Sequence, residues 1–590
     1  MELTRKDVDN SLKWRLEDIY ESDALWEKDF EKAKAHSCEF AKYAGRLGES
    51  SEVLLSALKD ESRMDFLLEK LYTYAHMRKD EDNGNTLYQG MTDRAMQLSI
   101  DASAAASFVE PELAAIAPDE LSKWAALPEF ENFRFRLLDV DRQRAHTLSK
   151  GEERILALAE EPLNGVDNIF TMLNDVDMDF GVVKDENGKE TKLTHGSYGV
   201  LLQSPDRSVR ADAYKTFYGA FHKLENTLSA TYAASVKADA FRAKARGFSG
   251  ACEAALFGGN VPIEVYDQLI AAVREKLTAM GKYMRLKKRV LNVGQLEMYD
   301  LYVPIVPDCD IPMTYDEAKK TVREALRPLG ENYGRLLDEA YGSGWIDVVE
   351  TKGKTSGAYS WGVYGTHPYV LLNHQDNVDH AFTLAHELGH AMHSYHSDHA
   401  LPYELAQYRI MVAEVASTVN EVLMTRYLLD NEKDPTKRAY LINQFLETFR
   451  TTCFRQTMFA EFELRAHRMQ ESGEPLTRES LSALYKELNE TYYPGVHVDD
   501  DIAIEWMRVP HFYNAFYVYQ YATGLCTAVA LADGVLKGRL DGYLAFLSSG
   551  GSDYPIELLK KAGVDLTKKE SIERSLDVFS SYVDELDQIL

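Results

Sequence analysis

Over the first 195 positions, apolar and polar residues alternate at helical spacing. The windows 25–47, 51–75 and 85–108 set apolar side chains three and four apart among Ala, Leu, Glu and Lys, with little Pro or Gly. Each predicts an amphipathic helix. The polar run DEDNGN, Asp80 to Asn85, reads as the turn between the second and third. At 182–193 the sequence VVKDENGKETKL predicts a hairpin with Asn187-Gly188 at its tip. Helical periodicity returns over 208–246 and 262–290. The texture changes at 345–373, where Gly, Thr, Tyr and Val replace Ala, Leu and Glu. Short strands are expected there, one of them at 370–372. The edge of such a sheet accepts an extended peptide as a further strand, although an ordinary structural hairpin has the same pattern.

Directly after these strands comes DHAFTLAHELGHAMHSYH, 379–396. Ala381, Ala385, Leu388, Met392 and Tyr395 form an apolar stripe, so this helix packs into a core. Thr383, His386, His390 and His393 form a separate polar stripe. His386 and His390 are four apart, one turn above each other, so both imidazoles reach one ion. Glu387 lies about 100° round from His386, which sets its carboxylate beside the ion rather than on it. That is the arrangement for a zinc-activated water with a base next to it. Gly389 costs up to about 1 kcal/mol against Ala in mid-helix, so a close approach by substrate or another helix is expected there. A chance match to HExxH is the competing explanation, and the helical context argues against it.

Catalytic zinc takes three protein ligands and a water. His396 stands ten residues after His386, but the metzincin pattern with that spacing needs a Gly where this chain has His393. His393 itself lies about 10.5 Å along the axis from His386, a strained reach for a single ion. Glu414 is the better candidate. It sits in IMVAEVASTVNEVLM, where Ile410, Met411, Val412, Val415, Val419, Val422 and Leu423 are expected to bury the helix on several sides. A lone carboxylate in such a helix is costly unless it is paired or bound to a cation, and an ordinary buried or salt-bridged glutamate is the competing explanation. Glu421, two turns later on the same face, is a candidate acceptor for a ligand histidine. His393 and His396 are expected to be solvated or to support the ligands from behind.

Composition narrows the class. The 590 residues, 45% apolar, are long enough for two or more lobes. The formal charge of −28 argues against unspecific binding to nucleic acid or an anionic membrane. The charged opening MELTRKDVDN predicts no secretory signal, and no run of about 18 uncharged apolar residues predicts a membrane span. The five cysteines are far apart, with no CxxC pair, and read as reduced, mostly buried thiols of a cytoplasmic protein.

HELGH, a following glutamate in an AEVAST-type helix, and HFYNAFYVYQYATG at 511–524 together resemble the M3 family of zinc metallopeptidases, specifically the oligoendopeptidase F type. The resemblance runs from KWRLEDIY through GKTSGAYSWG to the end of the chain. It implies a mainly α, two-lobed protein with a small β-sheet near the active site. It also implies a deep channel with one zinc ion at its floor, cleaving short peptides internally. We divide the chain accordingly into an N-terminal helical lobe, 1–200, and a catalytic domain, 201–590. Carried over residue by residue, His386, His390 and Glu414 match the metal ligands and Glu387 the general base. His511 matches a histidine that contacts substrate and stabilises the oxyanion. Tyr519 fits the tyrosine partner best through the Tyr-x-Tyr pattern, with Tyr517 and Tyr513 as rivals. Tyr513, Gly357 and Ala358 are expected to touch substrate. A dipeptidyl carboxypeptidase on the same scaffold and a non-catalytic zinc- or peptide-binding helical protein are the alternatives. The oligomeric state is not legible.

Overall fold

In the computed structural model, which describes residues 3–306, 309 and 311–590, helices account for most of the chain. The predicted N-terminal helices are α1 (Asp23–Phe40), α2 (Ser51–Glu81) and α3 (Thr86–Ala106). The DEDNGN run is their turn: the Asn85 side chain accepts from the Leu87 amide and caps α3. The hairpin forms as expected, with Val182 opposite Lys192 and Lys184 opposite Glu190. Gly188 takes the left-handed φ of +77° that its tip needs. The two helical windows at 208–246 and 262–290 each hold a break. The first gives Arg207–His222 and Glu225–Ala245, and the second gives Ile263–Glu275 and Leu277–Val290. Apolar spacing continues across both breaks, so periodicity alone does not reveal them.

The chain packs as two units, each built from three stretches. One comprises Met1–Ala145, Ile311–Tyr427 and Leu531–Gly563; the other comprises His146–Asp310, Leu428–Ala530 and Val564–Leu590. The packing units are thus interleaved along the sequence, whereas the sequence reading divides it once, near residue 200.

In the first unit, α1, α2 and α3 enclose a core that includes Trp26, Leu54, Leu71 and Met91. The Trp26 indole N–H reaches the Leu71 carbonyl at 2.8 Å, so its polar edge is satisfied as its ring is buried. Tyr369 and Leu371 join this core from a three-stranded sheet. Its strands are β1 (Ile346–Asp347), β2 (Tyr359–Trp361) and β3 (Tyr369–Leu371), in the order β1-β3-β2. β3 is fully buried, parallel to β1 and antiparallel to β2. β2 is therefore an edge.

The HELGH helix, α4 (Val378–Ala400), follows the sheet and packs on β2 and β3. Asn377 caps it, accepting from the His380 amide at 2.9 Å. Ala381, Ala385, Leu388 and Met392 are all buried, as the apolar stripe predicts. The next long helix, α5 (Ile410–Asn431), crosses α4. In the second unit, α6 (Arg455–Ser472) and the first part of α7 (Tyr519–Leu536) accompany the aromatic segment that begins at His511.

Candidate metal centre

Gly389 explains how the site is assembled. A Cβ at that position would lie 2.5 Å from the Ser417 Cα and 2.7 Å from the Ala416 carbonyl oxygen. The close approach is therefore by another helix, and it is the backbone of α5 that comes near. Asn420 pins the contact, donating to the Ala385 carbonyl at 2.9 Å while accepting from the Tyr333 hydroxyl at 3.1 Å. With the two backbones this close, Glu414 and Glu421, two turns apart on α5, both reach the histidines of α4.

His386 Nε2 and His390 Nε2 are 3.2 Å apart, and Glu414 Oε2 lies 3.4 Å from the first and 3.3 Å from the second. A tetrahedral ion with bonds of about 2.0–2.1 Å spaces its ligands by about 3.3–3.4 Å. The three donors thus already form one face of such a tetrahedron, and they fit a zinc-type cation. Among the described residues, these three are the group of His, Cys, Asp and Glu side chains brought together in this way. The Nδ1–H of His386 donates to Glu421 Oε1 at 2.6 Å. That bond fixes the tautomer that turns the Nε2 lone pair toward the other two donors.

Electrostatics agree. Burial opposes charge on the His386 ring, but the carboxylates of Glu414 and Glu421 outweigh it and push its pKa up to about 10. The two rings hold the Glu414 carboxyl well below its ordinary range. Positive charge is therefore favoured at this point, whether carried by a proton or by a metal ion. Glu387 is 7% exposed. Burial raises its pKa against the pull of His386 and His390.

Some expectations need correction. The Glu414 side chain is 59% exposed, not buried. Val412, Val415, Ala416 and Val419 take the interior side of α5 and leave position 414 on its open flank. His393 is not solvated: it is 1% exposed, stacked on Tyr408 with centroids 3.8 Å apart. Burial pushes its pKa down to about 3. Gly357 is exposed and Ala358 half-buried just before the edge strand β2. The Asn373 side chain holds this approach by donating to the carbonyls of Thr355 and Gly357.

The aromatic segment lies in the second unit. His511 is exposed, and the hydroxyl beside it belongs to Tyr521, 3.3 Å from its Nε2. The Tyr517 ring lies parallel to His511 at 6.1 Å and edge-on to Tyr521 at 5.5 Å. Tyr519, the sequence favourite, is buried against Tyr266. Tyr513 stacks on Phe170 at 4.4 Å. Helix geometry gives the reason, because Tyr519 and Tyr521 are two apart in α7 and point to opposite sides. The sequence reading did not name Tyr521, the tyrosine whose hydroxyl the fold sets beside His511. Its four-residue spacing from Tyr517 was the available signal.

A mainly helical chain that draws two histidines from one helix turn and a glutamate from the next helix around one point has the make-up of a metallopeptidase. Residues 200–578 match peptidase family M3, and residues 112–180 match oligopeptidase F. The oligopeptidase PepF of Bacillus subtilis is 43% identical over 99% of this chain and 88% of its own length. A crystal structure from Chlamydophila abortus superposes with a TM-score of 0.96 at 34% identity, covering 100% of both chains. Oligoendopeptidase F from Enterococcus faecium gives 0.74 at 37% identity, over 96% of this chain and 99% of that one. The chain belongs to peptidase family M3 and is of the oligoendopeptidase F type.

Proposed function

We propose that the chain is a zinc-dependent endopeptidase that hydrolyses internal bonds of short, unstructured peptides with one metal ion. The observation that carries this reading is the triangle of His386, His390 and Glu414, with edges of 3.2–3.4 Å, next to the buried carboxyl of Glu387. A divalent cation there supplies Lewis acidity toward water and a scissile carbonyl. Glu387 takes the proton of the attacking water and delivers it to the leaving amine, a role suited to a carboxyl whose pKa burial has raised. Glu421 keeps His386 in the ligating tautomer. The edge strand β2, with Gly357 and Ala358 leading into it, offers backbone groups to an extended peptide. By resemblance to the family, His511 is the histidine that serves the substrate, and the hydroxyl beside it is that of Tyr521, 3.3 Å from its Nε2.

Among the described residues no helix is long and apolar enough to cross a membrane. We take the compartment to be cytoplasmic, as the widely spaced cysteines of the sequence, with no CxxC pair, suggest.

The test is hydrolysis of a peptide of about ten residues with and without a chelator, with the products mapped by mass spectrometry. Internal cuts that vanish on chelation and return with zinc are expected. Release of C-terminal dipeptides alone indicates a dipeptidyl carboxypeptidase. Chelator-insensitive cleavage, or none with zinc bound, sinks the proposal.

A further inference from the structure

Among the described residues, three non-glycines hold a left-handed backbone: Asn260, Asn292 and Phe516. Asparagine tolerates that region, but an aromatic residue persists there only where its surroundings over-determine it. At Phe516, with φ +58°, two sets of contacts do so. Its N–H donates to Glu463 Oε1 at 3.0 Å, and its ring packs on His467, centroids 4.6 Å apart, and on Tyr266, at 5.7 Å. Glu463 and His467 are four apart on α6, so one helix face takes both the amide and the ring.

What this turn carries gives the anchor its importance. The Asn514 amide closes on the His511 carbonyl at 2.9 Å on one side of Phe516. On the other side, the Tyr521 amide bonds the Val518 carbonyl at 3.2 Å as α7 begins. The 3.3 Å contact between the Tyr521 hydroxyl and His511 Nε2 therefore depends on where the chain reverses between them.

Glu463 is fully buried, and its second oxygen, Oε2, has no hydrogen-bond partner among the described residues. Burial, with Asp239 nearby, drives its carboxyl toward the neutral acid. A neutral acid still presents Oε1 as an acceptor, so a side-chain amide of the same length can take its place.

We infer that Glu463 is a positioning residue: by accepting the amide of Phe516 it fixes the reversal that holds His511 and Tyr521 as a pair. The inference rests on the reading that this pair serves the substrate. The experiment uses the full-length, metal-loaded enzyme. Glu463→Asp withdraws the acceptor by one methylene and is expected to lower kcat by about 100-fold, with KM and bound metal within about twofold of the parent. Glu463→Gln keeps an acceptor at the original length and is expected to hold kcat within about threefold of the parent. Introduced into His511→Ala, Glu463→Asp is expected to add little further loss, because both changes act through one turn. Parental kcat in Glu463→Asp, an equal loss in Glu463→Gln, or an undiminished further loss on the His511→Ala background each overturns the positioning role. Unchanged kcat in His511→Ala overturns instead the reading of His511, and the inference with it.

Discussion

Glu387 and Glu421 are both acidic residues beside the same histidines, and their surroundings give them different work. Glu387 is buried, and burial raises its pKa against the pull of His386 and His390, which suits the general base proposed for it. Glu387→Gln is expected to bind zinc at full stoichiometry while kcat falls by about 10²–10⁴-fold, checked by metal analysis alongside peptide hydrolysis. Glu421 instead accepts the Nδ1–H of His386 at 2.6 Å. Glu421→Gln leaves His386, His390 and Glu414 in place but weakens the acceptor, so zinc affinity is expected to drop by about 10–100-fold in a competition titration. His386, Glu387 and His390 were legible because their relation is set within one helix turn. Tyr521 was not, since the chain reversal at Phe516 selects which tyrosine stands beside His511.

At the level of elements, the crossing of α4 and α5 is what makes a site out of two helices. Gly389→Ala tests it with two opposed effects. Intrinsic helix propensity favours the Ala by up to about 1 kcal/mol. The added Cβ, 2.5 Å from the Ser417 Cα, forces the backbones apart, and overpacking of that kind costs about 1–3 kcal/mol. The close contact should win: thermal unfolding is expected to move down, and zinc affinity to fall with it, because Glu414 and Glu421 both ride on α5. An unchanged midpoint and affinity would show that the crossing gives way easily. The sequence signalled a close approach at Gly389. It did not signal that α5 makes it, nor that Glu414 stands on the open flank of that helix, because the apolar residues around position 414 do not say which of them face inward.

For the molecule as a whole, stability should depend on pH through carboxyls the fold disfavours. Asp398, near the end of α4, has its pKa raised to about 7 by burial and by Glu69. Its folded pKa therefore lies above its unfolded value of about 3.9. The sign follows: the fold bears no penalty while the group is protonated, and loses stability as pH rises from about 4 toward 7. Asp398→Asn removes the ionisation. The variant is expected to unfold at a higher temperature than the parent at pH 8, with a smaller difference at pH 5, read by calorimetry at both values. An advantage equal at both pH values would assign the effect to packing.

Helical class, the hairpin, the strand at 370–372 and the two histidines were readable from residue order, because periodicity and i,i+4 spacing are local properties of the backbone. Interleaving of the two packing units, the breaks near 223 and 276, the exposure of Glu414 and the pairing of His511 with Tyr521 rather than Tyr519 came only with the folded chain. Each of these depends on which distant segments pack together. Such contacts are chosen by the balance of burial and close approach across the whole molecule, and no window of sequence contains them.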